Sequence, residues 1–394
     1  MKLRKEVIVL GDVEMGAGTL TDDFISDKAL SSLILQLRRR KHAIDLVFNG
    51  DTFDFLKCPY ITEGKETYPR HITPEISVSK LDSIYQAHKK VFTALEKFAG
   101  KRSNHLYFII GNHDYDLAFP EVKEELRKIL GHKQRVHIAI KYSEDSVYIE
   151  HGHQYDFLYK VNFENLFLRF KGKTLLNLPW TALGLISKFM GFKEEHPFMD
   201  RVFPRSILIS SGHMIAKKFT HRTLGYILKS IFYYPFRYYS DPTYSFPRQL
   251  LGDLIRRFKS FQWDVDDIMD VFLRRKRRAV KKNKLIVLGH IHEKMIKKQA
   301  GAIVVHPGSW RDEYDMQQKT GRLFARAKRY MEIKLGEESG DLNWELIEFP
   351  IKRSNSFKLE NVIKDEKKHL LLAAKEEGYN LKINNFSNKN NKNQ

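Results

Sequence analysis

Five short runs of β-branched and apolar residues each end in acidic, amide or imidazole side chains. Apolar runs of this length, bounded by polar turns, are typical of buried strands. Because polar residues at strand ends meet only where the strands lie side by side, we expect the five ends to share one edge of the fold. The runs are Val7–Glu14, Leu46–Asp54, Tyr107–Asp114, Val147–His153 and Leu285–His292.

Stretches of helical period separate the first four runs, which is the rhythm of βαβ units. The rhythm stops after His153 and resumes only at Lys284–His290. The chain is therefore predicted to be an α/β protein interrupted by a long insertion. The predicted helices are Lys28–Lys41, Ser79–Phe98 and Glu121–Leu130, and the predicted later strands are Ala302–His306, Arg329–Leu335 and Asn343–Phe349.

This interruption suggests how the chain is divided. Residues 1–156 and 284–352 are predicted to form one α/β domain, and residues 157–283 a helical insertion. Residues 353–394 form a tail with one predicted helix, Val362–Lys375, and a Lys/Asn-rich end that is expected to be disordered.

Composition places the chain among ordinary globular proteins. Of its 394 residues 42% are hydrophobic, which is ample for a core. Cys58 is the single cysteine, so a disulfide framework is excluded, and it is expected to pack as a small apolar residue. The segment Met1–Leu10 lacks the apolar run and small-residue cleavage site of a signal peptide, so a cytoplasmic location is expected.

The formal charge of +20 is concentrated in the insertion. Residues 157–282 hold 24 Lys and Arg against 10 Asp and Glu, or +14, together with many aromatic residues. Leu175–Met190 is too short and interrupted to cross a bilayer. Ile207–Tyr239 mixes aromatic and aliphatic residues with cations, and Arg274–Lys282 is a basic run.

Three interpretations of the insertion remain open. Aromatic residues among cations suit a helix lying in a membrane interface, with its cations on lipid phosphates. They suit a phosphate-rich polymer almost as well. Alternatively, the apolar residues form the small core of a helical cap and the charges are solvated.

The strand ends carry chemically informative motifs. Aspartate, asparagine and histidine are ligands of divalent metals, and the absence of thiolate argues against a soft-metal cluster. The motifs are Gly11-Asp12-Val13-Glu14, Gly50-Asp51-Thr52-Phe53-Asp54, Gly111-Asn112-His113-Asp114, His151-Gly152-His153 and Gly289-His290-Ile291-His292.

In order, spacing and strand context these motifs resemble the calcineurin-like metallophosphoesterase family. The family pattern runs D-x-H, G-D-x-x-D, G-N-H-D/E, a later His beside Gly, and G-H-x-H. One such motif occurs by chance in many proteins, but five in the family's order do not. The resemblance implies a four-layer α-β-β-α sandwich with a helical basic lid inserted between the fourth and fifth motifs.

The resemblance also implies a dinuclear metal site. Two dications roughly 3.5–4 Å apart can clamp a phosphate, but they need bridging and terminal anions to offset their repulsion. Mn is the favoured ion, with Mg, Fe and Zn as alternatives. Carried over by motif, the ligands would be Asp12, Glu14, Asp51 and His292 for one ion, and Asp51, Asn112, His151 and His290 for the other.

His113 matches the family's non-ligand histidine, which sits near the leaving oxygen as a proton donor or as a charge on the phosphate. The resemblance implies that Asp114 orients it in a His–carboxylate pair. His153 and Asp54 are expected to contact the substrate.

Position 14 departs from the family pattern, because the family has histidine there and this chain has Glu14. A carboxylate still binds metal, and its hardness should favour Mn or Mg over Zn. The alternative is that Glu14 points away and the first ion is weak or missing. For Asp12 and Asp51 the alternative role is helix N-capping, since Asp is a favoured N-cap residue and helices follow strands in α/β units.

Within the family the chain is most similar to the UDP-2,3-diacylglucosamine diphosphatase type, which cleaves a pyrophosphate carrying acyl chains. The shared features are Gly50–Asp54, the His151-Gly152 motif, the inserted lid and the Gly308-Ser309-Trp310 turn. The branch usually has G-N-R-D and H-G-D, where this chain has His113 and His153. Its lid supplies an acyl-chain pocket and a basic lip.

Three hypotheses for function follow. The first is a two-metal phosphoesterase acting on a phosphodiester or pyrophosphate, with an amphiphilic, lipid-linked or nucleotide-sugar substrate at the cytoplasmic face of the inner membrane. The second is a nuclease or nucleotide phosphodiesterase that holds nucleic acid with the insertion. The third is a non-catalytic scaffold that binds a membrane or partner, and Glu14 is its only support.

Overall fold

The structure is a computed structural model that describes residues 2–204, 214–246, 250, 252, 267–299, 301–338, 340–351, 353 and 356–382. The described residues form nineteen strands: β1 (Leu3–Leu10), β2 (Ala43–Asn49), β3 (Tyr60–Thr62), β4 (Lys65–Thr67), β5 (Asn104–Ile109), β6 (Val136–Ala139), β7 (Lys141–Glu144), β8 (Val147–Glu150), β9 (Phe167–Phe170), β10 (Lys173–Leu176), β11 (Val202–Phe203), β12 (Leu285–Leu288), β13 (Lys294–Gln299), β14 (Ala302–Pro307), β15 (Tyr314–Gln317), β16 (Arg322–Ala325), β17 (Lys328–Gly336), β18 (Leu342–Phe349) and β19 (Phe357–Lys358).

The α-helices of the same residues are α1 (Asp27–Arg38), α2 (Pro74–Ala87), α3 (Lys89–Ala99), α4 (Pro120–Leu130), α5 (Trp180–Gly184), α6 (Met190–Glu195), α7 (Met214–Phe232), α8 (Tyr234–Tyr238), α9 (Asp267–Arg275), α10 (Arg277–Lys282), α11 (Leu359–Lys364) and α12 (Glu366–Glu377). A π-helical turn, Leu185–Phe189, joins α5 to α6.

Two sheets form the centre of the fold. The larger has the order β18-β17-β1-β2-β5-β6, and the smaller the order β13-β14-β12-β8-β7. The strands that carry the first three motifs, β1, β2 and β5, run parallel, and so do β8 and β12, which carry the last two. The predicted α/β class is therefore confirmed.

Alternation along β1 explains the layers. Val7 and Val9 face a buried cluster shared with Val147 and Val287 of the smaller sheet, so the two sheets pack face to face. Ile8 and Leu10 point the other way, into a cluster with residues of α1 to α4. On the outer face of the smaller sheet, Phe272 of α9 packs against that sheet. The order is helices, sheet, sheet, helices.

The predicted long helices are interrupted in the structure. The stretch predicted as Ser79–Phe98 forms α2 and α3, which are separated at His88. The His88 ring is buried between Asp22 and Asp27, at 3.1 and 2.7 Å, and this long-range contact does not appear in a helical periodicity. The predicted Val362–Lys375 helix is likewise α11 and α12, because Asp365 caps the second helix through the Lys368 N–H.

The expected insertion contacts the rest of the chain at several points. Leu176 and Leu183 join the core cluster of the larger sheet, and β11 pairs with β15 in a further sheet with β16 and β19. Trp180 and Tyr226, with ring centroids 4.6 Å apart, centre a smaller aromatic core within the insertion. The domain boundaries stay a prediction.

No helix among the described residues has the length and apolar character needed to cross a bilayer. Residues 207–213 of the predicted Ile207–Tyr239 segment lie outside the described residues, as does the Lys/Asn-rich end from residue 383.

Candidate metal centre

The five motifs meet where the strands of the two sheets end. His151, after β8 of the smaller sheet, places Nε2 3.1 Å from Oδ2 of Asp51, which follows β2 of the larger sheet. The backbone N–H of His290, after β12, donates to Oδ1 of Asp12 at 3.0 Å, and Asp12 follows β1. Residues distant in sequence are thus within hydrogen-bonding distance in one pocket.

An imidazole-rich site is formed by Asp51, Asn112, His151 and His290. Donor atoms of Asp51, His151 and His290 lie within 4.8 Å of one another, close enough to share one ion. Oδ1 of Asn112 lies 3.1 Å from His151 Nε2. The other ring nitrogen of His151, Nδ1, lies 2.8 Å from the Asn49 carbonyl oxygen. This contact fixes the ring and leaves Nε2 as the nitrogen available to a metal.

A second group, called the His292 site, is the predicted ligand set Asp12, Glu14, Asp51 and His292; donor atoms of Glu14 and Asp51 lie within 4.8 Å of one another and of His113. Nε2 of His292 lies 3.5 Å from Oδ1 of Asp12 and 3.6 Å from Oε1 of Glu14. Such separations suit ligands of a common ion better than direct hydrogen bonds. Nδ1 of His292 lies 2.8 Å from the carboxylate of Glu313, forming the carboxylate–histidine arrangement found behind many metal ligands.

Glu14 is buried and points into the centre rather than away from it. Oε1 lies 3.3 Å from Arg311 as well as near His292, and Oε2 lies 2.7 Å from the Lys57 ammonium. Burial alone would raise the pKa of Glu14, but Arg311 and Lys57 outweigh burial and hold that pKa well below its usual range. Glu14 is therefore a carboxylate with one oxygen directed toward His292.

The backbone is strained at the predicted ligands. Left-handed φ angles occur at Asp12 (51°), Glu14 (55°), Asp51 (49°), His290 (76°) and His292 (64°). Each costs a non-glycine residue about 1–2 kcal/mol, and such strain is concentrated at functional sites in proteins. Helix N-caps have extended backbone instead, which argues against the capping role considered for Asp12 and Asp51.

Glycine is required at positions 50 and 111, where the backbone lies against the side chain of a predicted ligand. A Cβ at Gly111 would lie 2.9 Å from Cγ of Asp51 and closer still to its Oδ1, and a Cβ at Gly50 would overlap the His151 ring. Gly50 also has a φ of 78°. The two glycines thus allow ligands from neighbouring strands to approach each other.

The expected pairing of His113 with Asp114 is wrong. Nδ1 of His113 lies 2.9 Å from Oδ1 of Asp54. The Asp114 carboxylate instead accepts the N–H groups of Gly111 and Thr52, at 2.6 and 2.8 Å, and so ties the third motif to the second. Asp114, which follows His113 directly in the sequence, is bound by backbone N–H groups. Asp54, which comes from a different strand end, reaches the His113 ring instead.

The residues expected to contact substrate are buried. One oxygen of Asp54 faces His113 and the other lies 2.7 Å from Lys57. His153 is 1% exposed, and its ring lies against the rings of Tyr115 and His151. Neither of its ring nitrogens has a hydrogen-bond partner among the residues that the structure describes. In this structure Asp54 and His153 therefore contact other residues of the metal centre and are buried beneath its surface.

The candidate metal centre favours positive charge. Burial lowers the pKa of His151, but Asp51 and Asp12 raise it to about 10 overall. Burial also lowers the pKa of His292, but Glu313 and Asp12 raise it to about 9 overall. Carboxylates that hold protons on two buried imidazoles would stabilise a divalent cation in the same place. The residues present therefore fit divalent metal ions.

Sequence reasoning missed Lys57, Arg311 and Glu313. No motif marks them, because each acts through a contact with a residue 21 or more positions away. The Gly308-Ser309-Trp310 turn, which precedes Arg311, is the one local signal nearby.

No protein-family model and no curated protein matches the chain. Among solved structures, it is similar to a 5'-nucleotidase candidate from Staphylococcus aureus in complex with alpha-ketoglutarate, at 14% identity and a TM-score of 0.32. That match covers 94% of this chain, which spans only 58% of the other. A dimetal phosphatase from Danio rerio matches at 12% identity and a TM-score of 0.33, covering 89% of this chain and 100% of that one.

The phosphopantetheinyl hydrolase from Mycobacterium tuberculosis matches at 10% identity and a TM-score of 0.29, covering 78% of this chain and 91% of that one.

Proposed function

We propose that the protein is a metal-dependent phosphoesterase that hydrolyses a phosphodiester or pyrophosphate bond. The observation that carries this proposal is the convergence of Asp51, His151 and His290 from three strand ends in two sheets, with donor atoms within 4.8 Å of one another. Asp51, Asn112, His151 and His290 would hold one divalent ion. Asp12, Glu14, Asp51 and His292 would hold the other.

When bound, such ions polarise phosphoryl oxygens and lower the pKa of coordinated water. His113 lies beside this chemistry, with its side chain 12% exposed, so it borders the opening. Burial lowers the pKa of His113, but Glu14 and Asp54 raise it to about 9. A ring that is cationic at neutral pH can bind a phosphate oxygen or donate a proton to a leaving oxygen.

The donor set supports Mn as the resident metal, with Mg, Fe and Zn as alternatives. Three carboxylates and three imidazoles suit Mn and Fe, whereas Mg prefers oxygen donors and Zn prefers fewer carboxylates. Metal identity is therefore a testable part of the proposal.

An amphiphilic substrate at a membrane surface is supported by the exposed face of α7 and α8. Leu224, Leu228 and Phe232 follow one another at helical spacing of four and are 53%, 46% and 68% exposed. Phe236 and Tyr239 continue this apolar surface, at 78% and 91% exposed. The cations flanking it would meet anionic lipid headgroups; they are Lys217, Lys218, Lys229 and Arg237.

A cavity of about 950 Å³ lies next to this face. Ile186, Met190 and Tyr226 provide apolar walls, Arg222 and Lys229 provide cations, and Glu66 and Glu194 provide acids. A mixed cavity of this size suits a lipid-linked or nucleotide-sugar phosphate better than a small inorganic ester.

A nuclease or nucleotide phosphodiesterase is the second candidate. Its support is a separate basic surface on α9 and α10, where most of the cations of Arg274–Lys282 are exposed. Binding of nucleic acid through this surface would weaken steeply with added salt and be indifferent to lipid.

The test combines elemental analysis of the purified protein with a substrate panel of aryl phosphodiesters, nucleotides, nucleotide-sugar lipids and short DNA. The proposal expects bound divalent metal and metal-dependent hydrolysis. Bound metal without turnover of any phosphoester would favour a scaffold. For the membrane part, Phe232→Ser with Phe236→Ser should lose flotation with anionic vesicles while keeping aryl diester turnover, and unchanged flotation would contradict it.

A further inference from the structure

The Lys57 ammonium is enclosed by three carboxylates beside the metal centre. Nζ lies 2.7 Å from Oε2 of Glu14, 2.6 Å from Oδ2 of Asp23 and 2.7 Å from Oδ2 of Asp54. Donor oxygens of these three acids lie within 4.8 Å of one another, so the acids are close enough to share a single ion. The cation they share is the side chain of Lys57.

This ammonium is buried with its partners. Lys57 is 6% exposed, and the three acids are fully buried. A buried charge of this kind is tolerated only where opposite charges and hydrogen bonds replace the lost water. Because carboxylate oxygens of three acids lie within 2.7 Å of Nζ, Lys57 is placed as the positive charge that these acids share.

The carboxylates that bind Lys57 also face the centre. Glu14 uses Oε2 for Lys57, and its Oε1 lies 3.6 Å from Nε2 of His292. Asp54 uses Oδ2 for Lys57, and its Oδ1 lies 2.9 Å from Nδ1 of His113. Lys57 thus binds the outer oxygen of Glu14, which belongs to the His292 site, and the outer oxygen of Asp54, which contacts His113.

We propose that Lys57 is a positioning residue that serves as a built-in cation for the His292 site, so that Glu14 and Lys57 together act as one neutral ligand. The inference rests on the proposed metal-dependent function. It makes Glu14 and Lys57 a coupled pair. Loss of Lys57 alone releases the Glu14 carboxylate from its position, and loss of Glu14 alone leaves an unpaired ammonium beside the ion. Loss of both removes the misplaced carboxylate together with the repelling charge. A neutral histidine at position 14 then requires a neutral residue at position 57.

The alternative is that Lys57 serves only to neutralise Asp23 in the wider buried charge network. Lys193 provides a matched control, because its Nζ lies 2.6 Å from the other oxygen of Asp23 and also binds Asp200. Lys193→Gln removes one cation from the same network on the side away from Glu14.

The experiment is a double-mutant cycle on Mn²⁺ affinity, measured by titration calorimetry, with metal equivalents per chain from elemental analysis. Glu14→His and Lys57→Gln should each weaken Mn²⁺ binding by about 10-fold or more, and the double variant should return to within about threefold of wild type. Lys57→Arg, which keeps the charge, should retain most of the affinity, and Lys193→Gln should change it by less than about threefold.

Additive effects in the cycle, or an equal loss in Lys193→Gln, would overturn the inference. Should Lys57→Gln fail to fold, the comparison of Glu14→His with the double variant decides, since replacing both members of a buried ion pair is tolerated better than removing one. The double variant should then bind Mn²⁺ about 10-fold tighter than Glu14→His, and equal or weaker binding overturns the inference. A wild-type protein that binds no divalent ion would overturn the proposed function as well.

Discussion

Gly111 and Asp51 are in contact so close that no side chain fits between them. A Cβ at Gly111 would lie 2.9 Å from Cγ of Asp51 and nearer still to its Oδ1. The same Oδ1 accepts the N–H of His113 at 2.7 Å. The backbone of the third motif therefore contacts the Asp51 carboxylate, which would bridge the two ions. The position of this carboxylate depends on the absence of a side chain at Gly111.

Gly111→Ala should displace Asp51 and so lower both metal affinity and the free energy of unfolding. Overpacking of a rigid site costs about 1–3 kcal/mol, which chemical denaturation would detect. Gly191→Ala is the matched control, because a Cβ there meets no atom of the described residues within 4 Å. Normal metal content in Gly111→Ala would mean that Asp51 is not a ligand.

Loss of a ligand should remove activity without unfolding the chain. Asn112→Ala and His290→Ala should each reduce hydrolysis of an aryl phosphodiester by more than about 100-fold, since each deletes a donor from the imidazole-rich site. Steady-state kinetics with saturating Mn²⁺ measures the loss, and circular dichroism checks the fold. His42→Ala, on the exposed surface, serves as control. Full activity in either variant would refute the metal assignment.

Glu313→Gln tests the carboxylate behind His292. The Nδ1 of His292 lies 2.8 Å from Glu313, and loss of this negative charge should weaken Mn²⁺ binding about 10–100-fold. Elemental analysis after dialysis against a graded series of chelator concentrations would show the loss. Retention of the wild-type metal content throughout the series would indicate that the His292 site does not bind an ion.

His88 should make stability depend on pH. Burial lowers its pKa, but Asp22 and Asp27 raise it to about 10, against 6.5 in the unfolded chain. Because the folded pKa is the higher one, this contribution is fully present below pH 6.5 and is lost as the pH rises through about 10. His88→Asn should flatten that part of the pH profile, by on the order of a few kcal/mol.

Urea denaturation of wild type and His88→Asn between pH 6 and pH 10 provides the measurement. His42→Asn, on the exposed surface, should keep the wild-type slope. Parallel wild-type and His88→Asn profiles would show that His88 is neutral in the folded protein.

The sequence predicted the strand ends well because the signal there is local. An apolar run followed by Asp12, Asp51 or His151 shows both the strand and the candidate ligand within a few residues. The order of the layers is implied only by the resemblance of the motifs, because Val7–Leu10 is apolar on both of its faces and shows no alternation in the sequence.

Contacts between distant residues could not be predicted in this way. Asp54 was placed with the substrate, although it pairs with His113 and Lys57 across strand ends. The predicted helix over Ser79–Phe98 is broken at His88, whose ring is held by Asp22 and by Asp27, the first residue of α1. Neither periodicity nor motif spacing records such pairings.

The insertion shows the same limit. Its composition left a membrane surface, a nucleic-acid surface and a self-contained cap open. The structure shows a small aromatic core around Trp180 and Tyr226 together with exposed Phe232 and Phe236 on another face, so features of two interpretations are present at once.

The most direct measurement is anomalous diffraction at the Mn edge from crystals grown with Mn²⁺. We expect one peak within about 2.3 Å of donor atoms of Asp51, His151 and His290, and a second about 3.5–4 Å away beside Asp12 and His292. A map without anomalous density among Asp51, His151 and His290, at a Mn²⁺ concentration that supports hydrolysis, would contradict the central claim.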